Sequence, residues 1–288
     1  MWRWCHHIAR ERRTVGAMSD ESPQEEFRKV LIGEHAGLIK RRGLFRHLPA
    51  NPRCKLCWAP FGRPGGAVVR HFGYSRFPGN PAICQNCISQ FRKVGMTGAE
   101  IPVTLLFVDI RGSTALGERL TPTEFRDYLG RFYRLGSKAI LDHDGLIDKV
   151  VGDEIIGLFF GGVSGPEHAH AGLAAAIQLM SSAGRRDASP QGPILVGGAL
   201  HTGEAFVGPT GPENVVDDFT ALGDAVNTTA RLASAAAAGE LLVSVAAADA
   251  AGDLLTEAER RTLEVRGREA TIDVIVLRPA EAATPVRD

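Results

Sequence analysis

Downstream of Val103 the chain alternates between two kinds of apolar pattern, short continuous or alternating runs and longer stretches at helical spacing. Val103 to Ile110 is an apolar run of strand length. Thr121-Pro-Thr-Glu124 is a capping box, and Phe125, Tyr128, Leu129, Phe132 and Leu135 then fall on one face of a helix ending near Asp142. Gly145–Val150 and Glu154–Phe160 read as a hairpin turning at Gly152-Asp153, and His168–Ala183 as a helix. Ile194–His201 and Glu204–Pro209 read as a second hairpin. Ala221–Ala238 contains a helix, Leu241–Ser244 is a strand and Ala246–Ala251 a short helix. Glu264–Arg268 and Thr271–Leu277 close the sheet. Strands and helices alternate, yet several strands are joined by hairpins. The expected class is therefore α+β, a mixed β-sheet flanked by helices.

Upstream the pattern changes. Ser22 can cap a helix, Pro23 fits its first turn and Glu25 can complete a capping box. The helix is expected to run to about Arg42 on Phe27, Val30, Leu31, Leu38 and Ile39, with Gly33 and Gly37 weakening it. Residues 49–90 are rich in Pro, Gly and Cys and carry little periodicity, so this segment needs a staple to fold. The expected organisation is a disordered tail at 1–21, a helix at 22–48, a cysteine module at 49–95, the larger domain at 101–279 and a disordered tail at 280–288. Met18 reads as a more ordinary start than Met1, since the stretch before it is unlike the rest.

Composition sharpens this only in places. The 288 residues are 44% hydrophobic, enough for one good core and a smaller module. No apolar run is long enough to span a bilayer, the longest candidate being the alanine-rich Ala169–Ala183, and residues 1–17 lack the apolar segment of a secretory signal. A cytoplasmic protein is expected. The net charge of +0 hides an asymmetry: residues 1–100 hold 17 Lys+Arg against 7 Asp+Glu, and residues 101–288 hold 16 against 26. Because the basic residues are scattered, two oppositely charged domains docked on each other is favoured over an anionic partner.

Cys54-Lys-Leu-Cys57 and Cys84-Gln-Asn-Cys87 are two CxxC pairs with 26 residues between them. Each can present two thiolates to one metal, and four thiolates suit structural zinc. An iron–sulfur cluster is the alternative, and disulfides are disfavoured in a cytoplasmic chain. Cys5 stands alone and is assigned nothing. Phe72, Tyr74 and Phe77 lie among Arg63, Arg70, His71 and Arg76, which invites a base-stacking reading. In so small a module the aromatics read better as a miniature core, and nucleic acid is not the expected partner.

Three stretches carry the rest of the chemistry: Thr104-Leu-Leu-Phe-Val-Asp-Ile-Arg-Gly-Ser-Thr114, Lys149-Val-Val-Gly-Asp-Glu-Ile-Ile-Gly-Leu-Phe159 and Phe219-Thr-Ala-Leu-Gly-Asp-Ala-Val-Asn-Thr-Thr-Ala-Arg231. Asp109 and Asp153 each sit beside a buried strand, where a lone carboxylate is poorly solvated and two repel, so they make most sense as a pair sharing divalent cations. Alone, Asp109 would read as a cap before Gly112-Ser113-Thr114. In this order the three stretches resemble the catalytic domain of class III nucleotidyl cyclases, over roughly residues 101–279, a fold with a ferredoxin-like core.

The resemblance implies roles. Asp109, Asp153 and the main-chain carbonyl of Ile110 would hold two Mg2+ or Mn2+ ions per active site. Lys149 and Thr220, three residues before Gly152 and Gly223, match the positions that touch the base. Lys can donate to N1 of adenine and Thr can accept from its 6-amino group, though Thr can also donate, which would relax selection against GTP. Asn227 would orient the ribose and Arg231 would stabilise the charged transition state. Arg268 matches a position that contacts the terminal phosphates. Ser113 and Thr114 would shape the phosphate loop through their backbone, and Asp148, Glu154, Asp218 and Asp224 match no catalytic position. The implied activity is ATP to cyclic AMP and pyrophosphate, in a head-to-tail homodimer whose two sites each use both subunits, regulated by the cysteine module. A silent dimerisation scaffold, a guanylate cyclase and a cyclic-dinucleotide synthase are the rivals. The intact Asp pair, the Lys149/Thr220 pair and the Asn227/Arg231 pair argue against them in turn.

Overall fold

Strand β3 (Ala99–Ile110) is the spine of the molecule: it is hydrogen-bonded to a neighbour on each side, and from Val103 to Val108 it is buried on both faces. The computed structural model describes residues 22–49, 51–78, 80–93, 98–185, 192–210, 218–252, 258–264 and 271–279. In chain order it builds α1 (Pro23–Ile32), α2 (Ala36–Phe45), α3 (Gly65–Val69), β1 (Arg76–Phe77), β2 (Asn80–Cys84), α4 (Gln85–Lys93), β3, α5 (Ser113–Arg119), α6 (Pro122–Asp142), β4 (Leu146–Val151), β5 (Glu154–Phe159), α7 (Gly161–Ser164) and α8 (His168–Gly184). There follow β6 (Val196–Thr210), β7 (Asp218–Leu222), α9 (Asp224–Ala235), β8 (Leu241–Ser244), α10 (Val245–Ala251), β9 (Glu259–Leu263) and β10 (Ile272–Leu277). One sheet of eight strands runs β4-β5-β3-β6-β8-β10-β9, with β7 also paired to β6. The β6–β8 pair is parallel and its neighbours are antiparallel, so the sheet is mixed and flanked by helices, as expected.

The period-two alternation of β3 sorts the core into two layers. Ile101, Val103, Leu105 and Phe107 point to one face, where they join Phe27, Val30 and Leu31 of α1 and Leu232 and Ala233 of α9. Leu106, Val108 and Ile110 point to the other, against Phe132 and Ile140 of α6, Leu173 and Leu179 of α8 and Ala247 of α10. The first cluster also contains Cys54, Leu56, Cys57 and Ile83. The expectation of a core separate from the cysteine module is thus corrected: one apolar layer runs from the module into the sheet. Contact between α1 and α7 is close enough to exclude side chains. A Cβ on Gly161 would lie 2.5 Å from the Ile32 carbonyl oxygen, and one on Gly162 would lie 2.4 Å from that of Val30.

Local signals explain most boundaries. The Thr121 hydroxyl accepts from the Glu124 amide and the Glu124 carboxylate accepts from the Thr121 amide, a complete capping box. Ser22 likewise accepts from the Glu25 amide. The expected single helix to Arg42 is two helices, since Gly33 adopts φ 89 and ends the first with its amide on Lys29 and Val30 carbonyls. His35 caps the second. The expected Ile194–Pro209 hairpin is also corrected. It is one strand, β6, paired along its length with β3 from Ala99↔Val207 to Ile110↔Val196. Gly203, which reads as a turn, lies mid-strand because a Cβ there would press within 3.1 Å of the Ala225 Cβ on α9. The true hairpin partner of β6 is β7, and β9 at Glu259–Leu263 is a strand the sequence did not indicate, while the strand expected at Glu264–Arg268 falls, after Glu264, outside the described residues. Residues 265–270, including Arg268, and both tails lie outside the described residues. Among the described residues no helix is long and apolar enough to cross a membrane.

Candidate active site

The end of β3 and the β4–β5 turn bring the two expected carboxylates together. Asp109 lies opposite Glu154 in the β3–β5 ladder, and the Ile110 amide donates to the Asp153 carbonyl over 3.1 Å. Gly152, at φ 58, makes the tight turn that swings Asp153 back toward β3. The Ser113 hydroxyl donates to the Asp153 carboxylate, and the Tyr133 hydroxyl donates to the Gly152 carbonyl, fixing the turn from two sides. Ser113 therefore acts here through its side chain, which the sequence did not indicate.

Electrostatically the site holds more acid than it neutralises. Burial pushes the Asp109 carboxyl up, the nearby Asp153 adds to the shift, and Arg111 opposes it. Glu154 rises to about 6, chiefly from burial and then from Asp109 and Asp153. Arg111 donates to Asp109 Oδ2 over 2.9 Å and also to the Ala233 carbonyl in α9. It was not singled out from the sequence, although its position two residues after Asp109 puts both on one side of an extended chain. Asp109 Oδ1 remains buried with no hydrogen-bond partner. Such an oxygen, beside a second carboxylate, is the donor set a hard divalent cation takes.

A second cluster forms where β4 approaches β7. The Lys149 ammonium donates to the Thr220 hydroxyl over 3.0 Å, and that hydroxyl donates to Asp148 Oδ2 over 3.0 Å. Two adjacent residues of β4 reach one hydroxyl because the β4–β5 register shifts between Ile147 and Lys149, a bulge that spoils strict alternation. Asp148, set aside on sequence grounds, thus belongs to this cluster. Only a bulge puts neighbours on one side, and bulges leave little trace in a hydrophobic pattern.

Asn227 and Arg231 stand one turn apart on α9, whose Ala225, Thr228, Thr229 and Leu232 are buried. Asn227 is exposed and Arg231 half-buried, so both lie away from the buried face and are open to a ligand or a second chain.

The four cysteines converge as well. Cys54, Cys57, Cys84 and Cys87 are buried, and their sulfurs all lie within 4.8 Å of one another. Cys57 and Cys84 sulfurs are 3.7 Å apart and those of Cys54 and Cys87 4.0 Å. Amide groups of Cys84 and Cys87 point at the Cys54 and Cys84 sulfurs over 3.3 and 3.4 Å, the arrangement that steadies thiolates in a knuckle.

Residues 98–278 match the family model of the adenylate and guanylate cyclase catalytic domain. Among curated proteins, the chain is 33% identical over 133 residues to an adenylate cyclase of Anabaena cylindrica, covering 45% of this chain and 26% of that one. It is 28% identical over 180 residues to adenylate cyclase 1 of Rhizobium meliloti (strain 1021), covering 60% and 27%. The chain thus spans about a quarter of the length of these curated relatives. Among solved structures, the guanylyl cyclase Cya2 superposes with TM-score 0.59 at 28% identity, over 63% of this chain and 93% of that one. The adenylyl cyclase CyaB from P. aeruginosa gives 0.54 at 28%, over 62% and 94%. One of these neighbours takes each purine, so neither decides the base.

Proposed function

Because the chain belongs to the adenylate and guanylate cyclase catalytic domain family, we propose that it is a class III adenylate cyclase, converting ATP to 3′,5′-cyclic AMP and pyrophosphate in the cytoplasm as a head-to-tail homodimer. The observation that carries the choice of purine is the Thr220 hydroxyl held between Lys149 and Asp148. A carboxylate accepts only, so Thr220 must spend its proton on Asp148; one of its lone pairs takes the Lys149 ammonium and the other is left for the ligand. An acceptor at this point suits the 6-amino group of adenine and opposes the 6-oxo group of guanine. Lys149 supplies the donor for N1.

The remaining roles follow from position. Asp109, Asp153 and the Ile110 carbonyl would hold two Mg2+ or Mn2+ ions, with the partnerless Asp109 oxygen as the observation that favours this. Bound there, such ions make a hydroxyl more acidic and offset phosphate charge. In the reaction the ribose 3′-oxygen loses its proton and bonds to the α-phosphorus as the bond to the departing pyrophosphate breaks. Asn227 orients the ribose, Arg231 faces the charge that develops at the α-phosphorus, and Arg268 takes the terminal phosphates. Arg111 keeps Asp109 aimed by bonding it to the end of α9. The exposure of Asn227 and Arg231 is what a site completed across two subunits requires. The four-cysteine site holds zinc, and its module regulates the domain.

The test is direct. Purified full-length chain with Mn2+ or Mg2+ should convert ATP to cyclic AMP and use GTP poorly. Preference for GTP, or no cyclic nucleotide from either, would end this reading.

A further inference from the structure

The metal centre is joined to the hairpin that carries both halves of the chemistry. The β4–β5 hairpin bears Lys149 and Asp153, and its two open ends are tied to the first cysteine knuckle. On the entry side, Lys55, the residue after Cys54, donates to the Leu141 carbonyl over 2.9 Å and forms an ion pair with Asp144, just before β4. On the exit side, Arg42 donates to the Leu56 carbonyl over 2.8 Å and to the Gly162 carbonyl, just after β5. The ends are also tied to each other, since the Ser164 hydroxyl donates to the Asp144 carbonyl over 2.9 Å. A cavity of about 770 Å3 opens along this seam, lined by Arg42, Lys55, Trp58 and Asp144 among others. The apolar layer that joins Leu56 and Cys57 to Leu146 and Leu158 lies beside this cavity, and the polar bonds add directional ties between knuckle and hairpin.

The sulfur geometry states what the knuckle holds. Thiolates bound to one ion at about 2.3 Å in a tetrahedron sit about 3.8 Å apart. Separations of 3.7 and 4.0 Å, with none above 4.8 Å, match that. In a cluster of two or more irons, thiolates on different irons stand roughly 6 Å apart, which this arrangement does not accommodate.

We propose that the four cysteines bind a single tetrathiolate metal ion, zinc before iron, and that this ion acts as a clamp on the β4–β5 hairpin through Lys55 and Arg42. Loading the ion fixes the knuckle; the knuckle fixes Asp144 and Gly162; the hairpin between them then presents Lys149 and Asp153. The proposal deepens the reading of the cysteine module as regulator and rests on that reading for its meaning in catalysis, but not for its test.

The test uses the full chain. Elemental analysis should give one metal ion per chain and no acid-labile sulfide. Hydrogen exchange over residues 146–159 should be slow in the zinc-loaded protein and lose protection when zinc is stripped by a chelator. Lys55→Met should keep its zinc yet show the unprotected hairpin, which separates the clamp from any general unfolding of the module. Several irons with sulfide, a metal-free protein, or equal protection in zinc-loaded, stripped and Lys55→Met chains would each overturn the proposal. Neither measurement needs turnover, so a clamp that responds in a chain making no cyclic nucleotide would refute the enzymatic reading alone.

Discussion

The Thr220 hydroxyl donates to Asp148 over 3.0 Å, and this one bond converts an ambivalent side chain into an acceptor. Asp148→Asn can offer Thr220 either a carbonyl or an amide, so the hydroxyl regains both orientations. The ratio of kcat/KM for ATP over GTP should fall by roughly tenfold, the size of one lost hydrogen-bond discrimination. Steady-state assays with both nucleotides check this; an unchanged ratio would show that Asp148 does not set the purine.

Catalysis should depend on both carboxylates of the acidic cluster. Asp109→Ala and Asp153→Ala should each reduce cyclic AMP formation to background while the fold persists. Each removes one of two mutually repelling half-buried groups, so thermal unfolding should stay level or rise slightly. Near-full activity in either variant would end the metal assignment.

The outward placement of Asn227 and Arg231 makes a mixing experiment decisive. Arg231→Ala should cost about a hundredfold in rate, as for other preorganised donors. Mixed with Asp109→Ala chains, it should regain activity, because one of the two interfacial sites in the mixed dimer is then intact. Demonstrated subunit exchange without recovery would contradict the head-to-tail dimer.

Glu240 gives a pH signature unrelated to catalysis. It accepts from Arg261, Arg278 and the Ala237 amide, and its carboxyl drops from 4.5 to about 2, with Arg261 the first cause. A depressed acid stabilises the fold above its unfolded value and loses that contribution as pH falls. Denaturant unfolding should therefore weaken between pH 4.5 and about 2. Glu240→Gln should flatten this slope and cost on the order of 1 kcal/mol at neutral pH once solvent screening at the half-buried arginines is allowed for. An identical slope in both proteins would assign the acid sensitivity elsewhere.

What the sequence made legible was whatever is governed by neighbours in the chain. The Thr121 capping box, the turn at Gly152 and the core alternation of β3 are local, and they appear where expected. The convergence of Asp109 with Asp153 was inferable because a lone carboxylate beside a buried strand is poorly solvated, and that of the four cysteines because two CxxC pairs suit one metal. What stayed hidden depends on partners far along the chain. Gly203 reads as a turn until Ala225 is seen pressing on it. Asp148 matches no catalytic position until a bulge turns it toward Thr220. Arg111 draws no notice until the end of α9 arrives to receive it.

The glycine seam between α1 and α7 has a consequence for the order in which the chain can be made. Arg42 and its acceptor at Gly162 are 120 residues apart, so on a ribosome the first helices emerge long before the backbone they must dock against. The cysteines, by contrast, are all translated before β3 begins. Under the proposed clamp, the module takes up its ion while the sheet is still unwritten, and α1, β3 and the later hairpin then assemble against it. A cell short of that metal would make the same polypeptide and deliver it to the sheet with its template missing.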